Sequence, residues 1–349
     1  MEASQSSSPL LSLAAPLRQK RNAMKRRCAL SLLALAGCTG LSQTALAAAE
    51  PWPSRSVRIV VPFPPGGGTD IVGRAMGQAL APRLGQAVVI DNKPGASTLI
   101  GTEAVTRAAP DGYTLLVSGS TTFSVNPALK PRLNYDPFKD LSAVAVLARA
   151  PLVVVVPAQS PFKTLPELLN AARRQAGSVR YATYGSATAP HLAGLLLGLS
   201  AGVTLQDIPY KGSAQVSTAL MSGEVEATFD TVASAGPLIK AGKLRALATP
   251  SRVRVSSLPQ VPTLTELGLP DASFEGWYAM AAPAGTPAPV LERLGRELRA
   301  VMALPEVQKQ FRAQALEPVY QDPATMTRLM EQEITQFRAA AARAHLTLE

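Results

Sequence analysis

Residues 57–70 read VRIVVPFPPGGGTD, and this stretch decides the fold. The stretch from Arg58 to Val61 is typical of the first buried strand of a parallel sheet. Two prolines end this strand because they have no N–H to donate to a sheet. The three glycines then allow a tight turn with uncovered N–H groups, and Thr69 or Asp70 can cap the helix that follows. A strand, a glycine loop and a helix start together favour anion binding, although the same turn can also bind nothing.

The N-terminal segment has the features of an export signal. Three basic residues at 25–27 precede a short apolar run at 28–37, which cannot span a bilayer. We expect cleavage before Ala48, behind an A-x-A sequence, so that residues 1–47 are removed. Alternatively, Cys38 fits a lipoprotein signal and would carry a lipid. Because Met24 stands directly before the signal, it is an alternative start to Met1.

The composition excludes several classes of protein. Both cysteines, Cys28 and Cys38, lie in the leader, so a chain cut before Ala48 has no disulfide and no thiol chemistry. The net charge is +10, but residues 1–47 hold six of the basic side chains and one acidic one. What remains is mildly basic, without the basic and aromatic clusters typical of nucleic-acid binding. No later segment is apolar for long enough to cross a membrane, and about 300 residues suit two domains.

Enzymatic motifs are scarce, and no cofactor is expected. The two histidines, His191 and His345, have no partners at metal-ligand spacing. His191 opens a predicted helix beside a Ser/Thr loop, where it either packs or bonds a ligand. The glycine loop matches neither a P-loop nor G-x-G-x-x-G, and no G-x-S-x-G is present. Asp70 and Asp230 could pair as acid and base, so a carboxylate-pair hydrolase is a distant alternative.

Strands and helices alternate after the leader, which predicts an α/β fold with mostly parallel sheets. The run LVVVV at 152–156 is typical of a strand buried on both faces. Further strands are predicted at 86–90, 113–117, 179–183, 205–209, 225–229 and 244–248, and helices at 71–85, 100–108, 164–175, 191–199, 214–222, 287–304 and 323–344. Ligands of such sheets bind beyond the carboxyl ends of the strands. Polar loops lie at those ends in two sets, which indicates two lobes facing a cleft: 66–70, 118–122, 184–188 and 230–234.

Seven short motifs follow one another across residues 51–349: PFPPGGGTD, DNKPGA, AAPDGYTLL, IPYKGS, EATFD, IKAGKLRALA and WYAMAAPAGTPAP. With them the chain resembles the Bug family, the periplasmic solute-binding receptors of tripartite tricarboxylate transporters. The resemblance implies a two-lobed fold of the periplasmic-binding-protein type II kind, hinged by two crossing segments near 148–152 and 274–278. The first lobe would then comprise 51–149 plus 277–349, and the second 150–276.

The resemblance also implies which residues hold a small carboxylate between the lobes. The glycine loop would supply backbone N–H groups, and the loop at 118–122 would donate hydroxyl groups. In the second lobe, the loop at 185–188 would grip the distal end, while Asp230 would accept from an amino or hydroxyl group or fix a loop N–H. We expect no arginine on the carboxylate, and a structural role for Lys211. The expected binding residues are Phe63, Pro64, Gly66, Gly67, Gly68, Thr69, Asp70, Ser118, Ser120, Thr121, Gly185, Ser186, Thr188, His191, Asp230 and Ser234.

Two departures from the family pattern bear on the ligand. The family often has PGAGG where this chain has PGAST at 94–98, and Tyr184 opens a loop that usually starts with a smaller residue. Tyr184 could form a wall of the cleft or pack into its lobe. The ligand class therefore stays open among dicarboxylates, tricarboxylates, amino acids and aromatic acids. The implied function is a monomeric periplasmic receptor that delivers its ligand to integral membrane permease subunits; the alternative is a sensing protein that acts on a membrane sensor kinase.

Overall fold

A computed structural model describes residues 52–185, 188–210 and 213–344, without the side chains at 213–214. The leader with Cys28 and Cys38 lies outside the described residues. The predictions for Ser186, Lys211 and His345 also fall outside them.

The described elements alternate between strands and helices. The strands are β1 (Val57–Val61), β2 (Val88–Asn92), β3 (Thr114–Gly119), β4 (Leu141–Ala150), β5 (Leu152–Pro157), β6 (Arg180–Thr183), β7 (Gln206–Pro209), β8 (Ala227–Thr231), β9 (Leu244–Ala248), β10 (Gly276–Pro283) and β11 (Glu317–Gln321). The helices are α1 (Gly68–Leu84), α2 (Leu99–Thr106), α3 (Asn126–Leu129), α4 (Leu165–Arg174), α5 (Ala189–Ala201), α6 (Ser213–Ser222), α7 (Val232–Lys240), α8 (Ala288–Met302), α9 (Pro305–Ala313) and α10 (Pro323–Arg343). Short 3₁₀ turns occur at Ala96–Thr98 and Pro270–Ala272, and a π-helical turn at Thr121–Val125.

The strands form two separate sheets. Sheet 1 has the order β11-β4-β10-β3-β1-β2, and sheet 2 has the order β7-β6-β8-β5-β9. In sheet 1, β1 is parallel to β2 and β3, whereas β10 is antiparallel to β3 and β4, and β11 is antiparallel to β4. In sheet 2, β6 is parallel to β7 and β8, and β5 is antiparallel to β8 and β9. Both sheets are therefore mixed, and the prediction of mostly parallel sheets is wrong.

One interior strand of each sheet, β1 in sheet 1 and β5 in sheet 2, is buried on both faces, as the apolar runs predict. In β1, Ile59 and Val61 pack in a cluster with α1, while Val60 packs on the other face in a cluster that includes Met326 and Met330 of α10. All residues of β5 are buried. Continuous apolar runs are expected where a strand has neighbours on both sides and cover on both faces.

The chain passes between the sheets twice. β4 ends at Ala150 and β5 begins at Leu152, so Pro151 makes the first crossing, and the second leads from β9 to β10. Near the two crossings, Arg149 Nη1 donates to Glu275 Oε1 at 3.2 Å. No helix in the described parts of the chain is long and apolar enough to cross a membrane.

Candidate functional site

The predicted loops lie at the carboxyl ends of neighbouring parallel strands. β1 and β3 are paired in sheet 1, so the glycine loop after β1 and the turn after β3 open at one edge. β6 and β8 are paired in sheet 2, which brings the loop at Tyr184 beside Asp230. Several predicted loop residues are in fact strand residues, since β3 continues to Gly119 and β8 to Thr231. Ser120, which follows β3, leads directly into the π-helical turn at Thr121–Val125.

The glycine loop is open to solvent. Pro64, Gly66 and Gly67 are exposed, and Phe63 is half-buried against the core of sheet 1. Gly66 has φ +88°, a left-handed conformation that favours glycine. Helix α1 begins at Gly68, with Gly67 as its N-cap, so the prediction that Thr69 or Asp70 caps it is wrong. Glycine is accepted at an N-cap, which lets the helix start before the first side chain able to cap it.

Asp70 braces the loop from within the first turn of α1. Its Oδ2 accepts from Gly66 N at 2.8 Å and from Arg74 Nε at 2.9 Å, and its Oδ1 accepts from Asn92 Nδ2 at 2.9 Å. Burial alone would raise the pKa of this carboxyl, but these donors outweigh burial and lower the pKa below its ordinary value. The carboxylate of Asp70 is therefore already bonded to Gly66, Arg74 and Asn92. A contact of Asp70 with a ligand stays a prediction.

The end of β3 carries a buried chain of hydroxyl groups. Ser118 Oγ lies 2.6 Å from Thr122 Oγ1, which donates to Thr98 Oγ1 at 2.9 Å. Asn126 Nδ2 donates to the same Thr98 oxygen at 3.2 Å. Because Ser118 is fully buried and bonded to Thr122, it supports the turn from inside. Its predicted contact with a ligand stays a prediction.

Ser120 and Thr121 differ from Ser118 in their hydroxyl groups. Within the described parts of the chain, neither hydroxyl makes a hydrogen bond. Ser120 is buried and Thr121 is half-buried. Both follow β3 directly, beside the glycine loop, so their hydroxyls are donors available to a ligand at this edge of sheet 1.

The sequence PGAST forms a strained turn beneath these hydroxyls. Ala96, Ser97 and Thr98 have φ values of 46°, 55° and 81°. Non-glycine residues rarely adopt this left-handed conformation, least of all β-branched ones. Thr98 is buried in the hydroxyl chain, and Asn126 Nδ2 donates to Ser97 O at 2.7 Å. The sequence PGAST thus places side chains at positions where the backbone favours glycine.

In sheet 2, Gly185 and Thr188 of the loop after β6 bond to each other. Gly185 has φ +101°, and its carbonyl accepts from Thr188 Oγ1 at 2.6 Å. Thr188 is the N-cap of α5, but its side chain bonds to this carbonyl and caps no helix N–H. His191, in the first turn of α5, is buried, and its carbonyl accepts from Tyr181 Oη at 3.3 Å. Burial lowers the pKa of His191 despite the attraction of Asp207, so the imidazole is neutral at pH 7.

Asp230 is buried at the end of β8. Its Oδ1 accepts from Tyr184 Oη and, at 2.7 Å, from Thr231 N. The hydroxyl of Thr231 accepts from Ser234 N at 3.2 Å and so caps α7. Tyr184 therefore packs into its lobe and supports Asp230, one of the two roles open to it from the sequence. Asp70 follows β1 of sheet 1 and Asp230 lies near the end of β8 of sheet 2; Asn92, which bonds to Asp70, belongs to sheet 1, and Tyr184, which bonds to Asp230, follows a strand of sheet 2.

One residue that the sequence did not indicate lies against both loops of sheet 1. The ring of Tyr278, on β10, occupies the space where a side chain at Gly68 would otherwise lie, and it also lies against Gly119. Its only sequence signal was its position beside Trp277 in the motif WYAMAAP, at the end of the predicted crossing at 274–278. No cluster of His, Cys, Asp and Glu able to hold a metal occurs among the described residues.

Comparisons with known proteins agree with this architecture. The model of the "Tripartite tricarboxylate transporter family receptor" matches residues 72–344. BugT of Bordetella pertussis is 36% identical over 276 residues, which cover 79% of this chain and 85% of BugT.

Two solved structures are similar over nearly their whole length. A protein of R. palustris with adipate has 31% identity and a TM-score of 0.73, and the match covers 85% of this chain and 99% of that one. MatC from Rhodopseudomonas palustris with bound malate has 30% identity and a TM-score of 0.68, covering 83% of this chain and 99% of that one. The predicted resemblance and the two-lobed α/β fold are confirmed. The chain belongs to the tripartite tricarboxylate transporter receptor family, which includes Bug proteins, and is a solute-binding receptor of that family.

Proposed function

We propose that this receptor captures a small carboxylate-bearing metabolite between its two lobes and delivers it to the membrane permease of a tripartite transporter. One observation carries the proposal: the glycine loop and the unbonded hydroxyls of Ser120 and Thr121 open at the same edge of sheet 1. Backbone N–H and hydroxyl donors together can solvate a carboxylate. The adipate and malate complexes of related proteins support this class of ligand.

Neutral donors, not arginines, hold the carboxylate in this proposal. Arg74 is the arginine bonded to the glycine loop, and its guanidinium donates to Asp70 and to Asn92 Oδ1 at 3.1 Å. With these partners Arg74 fixes the loop and leaves the ligand to N–H and hydroxyl groups. Several weak donors favour a reversible complex, which a delivery protein needs.

Closure of the lobes would complete the site. The ligand would first meet the edge of sheet 1, and the loops at Gly185, Thr188 and Asp230 would then close over its other side and expel water. The proposed lobes are residues 51–149 plus 277–349 and residues 150–276. Gly66, Gly67, Gly68, Ser120 and Thr121 are the contacts that we propose in the first lobe. In the second lobe, Ser186 and His191 remain proposed contacts together with the loop residues.

We further propose that the chain binds without catalysis and works in the periplasm. The carboxylates of a hydrolase would have to act on one bond, whereas Asp70 is bonded to Gly66, Arg74 and Asn92, and Asp230 to Tyr184 and Thr231. Family members are periplasmic binding proteins, and the leader carries an export signal. Lipid attachment at Cys38 is the alternative to a cleaved product that begins at Ala48.

A thermal-shift screen of the chain from Ala48 with small carboxylates, including malate and adipate, tests the proposal. A ligand that binds the native state raises Tm in a dose-dependent way, and calorimetry then gives Kd. Mass spectrometry of the recovered ligand should show it unchanged. If the folded protein, first stripped of bound ligand, shows no rise in Tm with any carboxylate of the screen, the proposal of a carboxylate receptor is wrong.

A matched pair of variants locates the site. Thr121→Val removes a hydroxyl without changing the shape of the side chain and should weaken binding about tenfold, because a hydrogen bond to a charged group is lost. Thr335→Val makes the same change on the exposed face of α10 and should leave Kd unchanged. If Thr121→Val and Thr335→Val bind the ligand with equal affinity, the ligand does not bond to the hydroxyl of Thr121.

A further inference from the structure

Tyr278 lies at the edge of sheet 1 where the proposed ligand binds. β10 runs antiparallel to β3, and Tyr278 is paired with Gly119. The start of β10 therefore lies at the carboxyl end of β3, beside Ser120. Successive side chains of a strand point to opposite faces. Trp277 stacks on Phe123, on the face that packs against α10, while Tyr278 faces α1.

Gly68 makes room for the phenol ring, which also lies against Gly119. A Cβ at Gly68 would overlap the Tyr278 hydroxyl and would lie 2.9 Å from Cζ. A Cβ at Gly119 would lie 3.4 Å from both Cδ1 and Cε1. The ring thus fills the space between the first turn of α1 and the end of β3, and its hydroxyl lies over Gly68.

The hydroxyl of Tyr278 makes no hydrogen bond with any residue in 52–185, 188–210 or 213–344. The side chain is only partly buried, so the site remains reachable. Buried tyrosines usually find a partner for the hydroxyl, and here the loops on both sides are those proposed to hold a ligand. Burial raises the pKa of Tyr278 to about 12, so the phenol stays protonated at neutral pH and can donate.

We propose that Tyr278 Oη donates a hydrogen bond to a carboxylate oxygen of the ligand and that its ring sets the depth of the site at the first lobe. This inference rests on the proposed function and names a specificity-determining residue for the same site. A ring that lies between the two loops limits how far a ligand can enter. The hydroxyl then selects ligands that place a carboxylate oxygen at that depth.

Tyr278→Phe separates the hydroxyl from the ring. It keeps the ring that packs on Gly68 and Gly119, so the fold should persist. Tyr320→Phe is the matched control, because Tyr320 lies on β11 and its ring is stacked by Arg299. Titration calorimetry of wild type and both variants uses the carboxylates that bind in the thermal-shift panel, with malate and adipate always included.

For the tightest carboxylate, we expect Tyr278→Phe to weaken binding about tenfold or more and Tyr320→Phe to leave Kd unchanged. The ratio of wild-type to Tyr278→Phe affinities should stay constant from about pH 6 to pH 9, since the phenol does not ionise there. Binding by wild type with no loss in Tyr278→Phe overturns the role of Tyr278 alone. Absence of binding by wild type overturns both this inference and the proposed function.

Discussion

At the scale of single residues, the turn before α2 holds three successive non-glycine residues with a left-handed backbone, Ala96, Ser97 and Thr98. Ser97 is exposed at φ 55°, and only its backbone carbonyl has a hydrogen-bond partner among the described residues. A left-handed conformation costs an L-residue about 1 to 2 kcal/mol, and glycine avoids this cost. Glycine also loses more entropy on folding, so Ser97→Gly should raise the free energy of unfolding by a net ~0.5 to 1 kcal/mol.

Urea denaturation at pH 7 would measure this gain. Ser257→Gly is the matched control, since Ser257 is exposed but has no left-handed φ, and there glycine should be neutral or destabilising. If Ser97→Gly lowers the free energy of unfolding, the left-handed backbone at Ser97 is not strained in the wild type. Unchanged ligand affinity would show that Ser97 does not shape the site.

Asp70 gives a prediction with a pH dependence. Its folded pKa is lowered, so its stabilising contribution is fully present above the ordinary pKa of the carboxyl and is lost as pH falls through the folded pKa. Wild type should exceed Asp70→Asn by about 1 to 3 kcal/mol in unfolding free energy at pH 7, because charged hydrogen bonds are lost. The difference should shrink as pH falls from about 5 towards 2.

Unfolding curves at several pH values would test this, with Asp271→Asn as a control. Asp271 is exposed, and its side chain has no partner within the described residues, so its variant should match wild type throughout. A difference between wild type and Asp70→Asn that persists at pH 2 would show that shape, not charge, makes Asp70 stabilising.

At the scale of elements, a buried carboxylate joins the last helix to β10. Trp277 Nε1 donates to both oxygens of Glu333, each at 2.9 Å. Burial raises the pKa of Glu333 to about 7; Glu275 adds to this, whereas Trp277 and Arg252 oppose it. A raised folded pKa stabilises the protein below the unfolded pKa, and this contribution is lost as pH rises through 7.

Glu333→Gln should remove this dependence while keeping an oxygen that accepts from Trp277. Between about pH 5 and pH 8, wild type should lose stability relative to Glu333→Gln by on the order of 2 kcal/mol. Thermal unfolding across that range is the measurement, and Glu331→Gln, on the exposed side of the same helix, is the control. Parallel curves for wild type and Glu333→Gln would show that Glu333 has an ordinary pKa.

The sequence predicted the elements that alternate and missed those that do not. Parallel pairing needs a crossover helix, so β1, β3, β6 and β8 appear in the sequence as apolar runs followed by a loop and a helix. The antiparallel strands β4, β10 and β11 need no such helix, and the alternation therefore gave no sign of them. The register of β10 against β3 is a long-range contact, which explains why Tyr278 could not be found.

The same reasoning explains the outcome at the site. The positions of Gly66, Ser120 and Thr121 at strand ends follow from local sequence, and the structure brings them to one edge. Whether a polar side chain at this edge can bond a ligand depends on the hydrogen bonds that it already makes within the protein. Ser118 is bonded through Thr122 to Thr98, and Asp70 to Asn92, and these long-range partners become visible only in three dimensions.

At the scale of the whole molecule, α10 ties the two sheets together. Its Met326 and Met330 pack in a cluster with β1 and β10, while Phe337 and Ala340 pack in a cluster with β5 and α5. Phe337 also meets Phe274, before β10, edge to face at 5.2 Å. A helix that belongs to both cores couples them, so we expect both lobes to unfold in one cooperative transition.

Phe337→Ala tests this coupling, since it removes a fully buried ring from the core of sheet 2. It should cost about 3 to 5 kcal/mol of unfolding free energy. Phe138→Ala, at a side chain that is 45% exposed, should cost far less.

Both tryptophans, Trp52 and Trp277, pack in the core clusters of sheet 1, so their fluorescence reports on that lobe, whereas far-UV circular dichroism reports on both lobes. In wild type and Phe337→Ala alike, the two signals should change together, because α10 cannot leave one core and stay in the other. A circular dichroism change that precedes the fluorescence change would show that the second lobe unfolds by itself and that α10 does not couple the lobes.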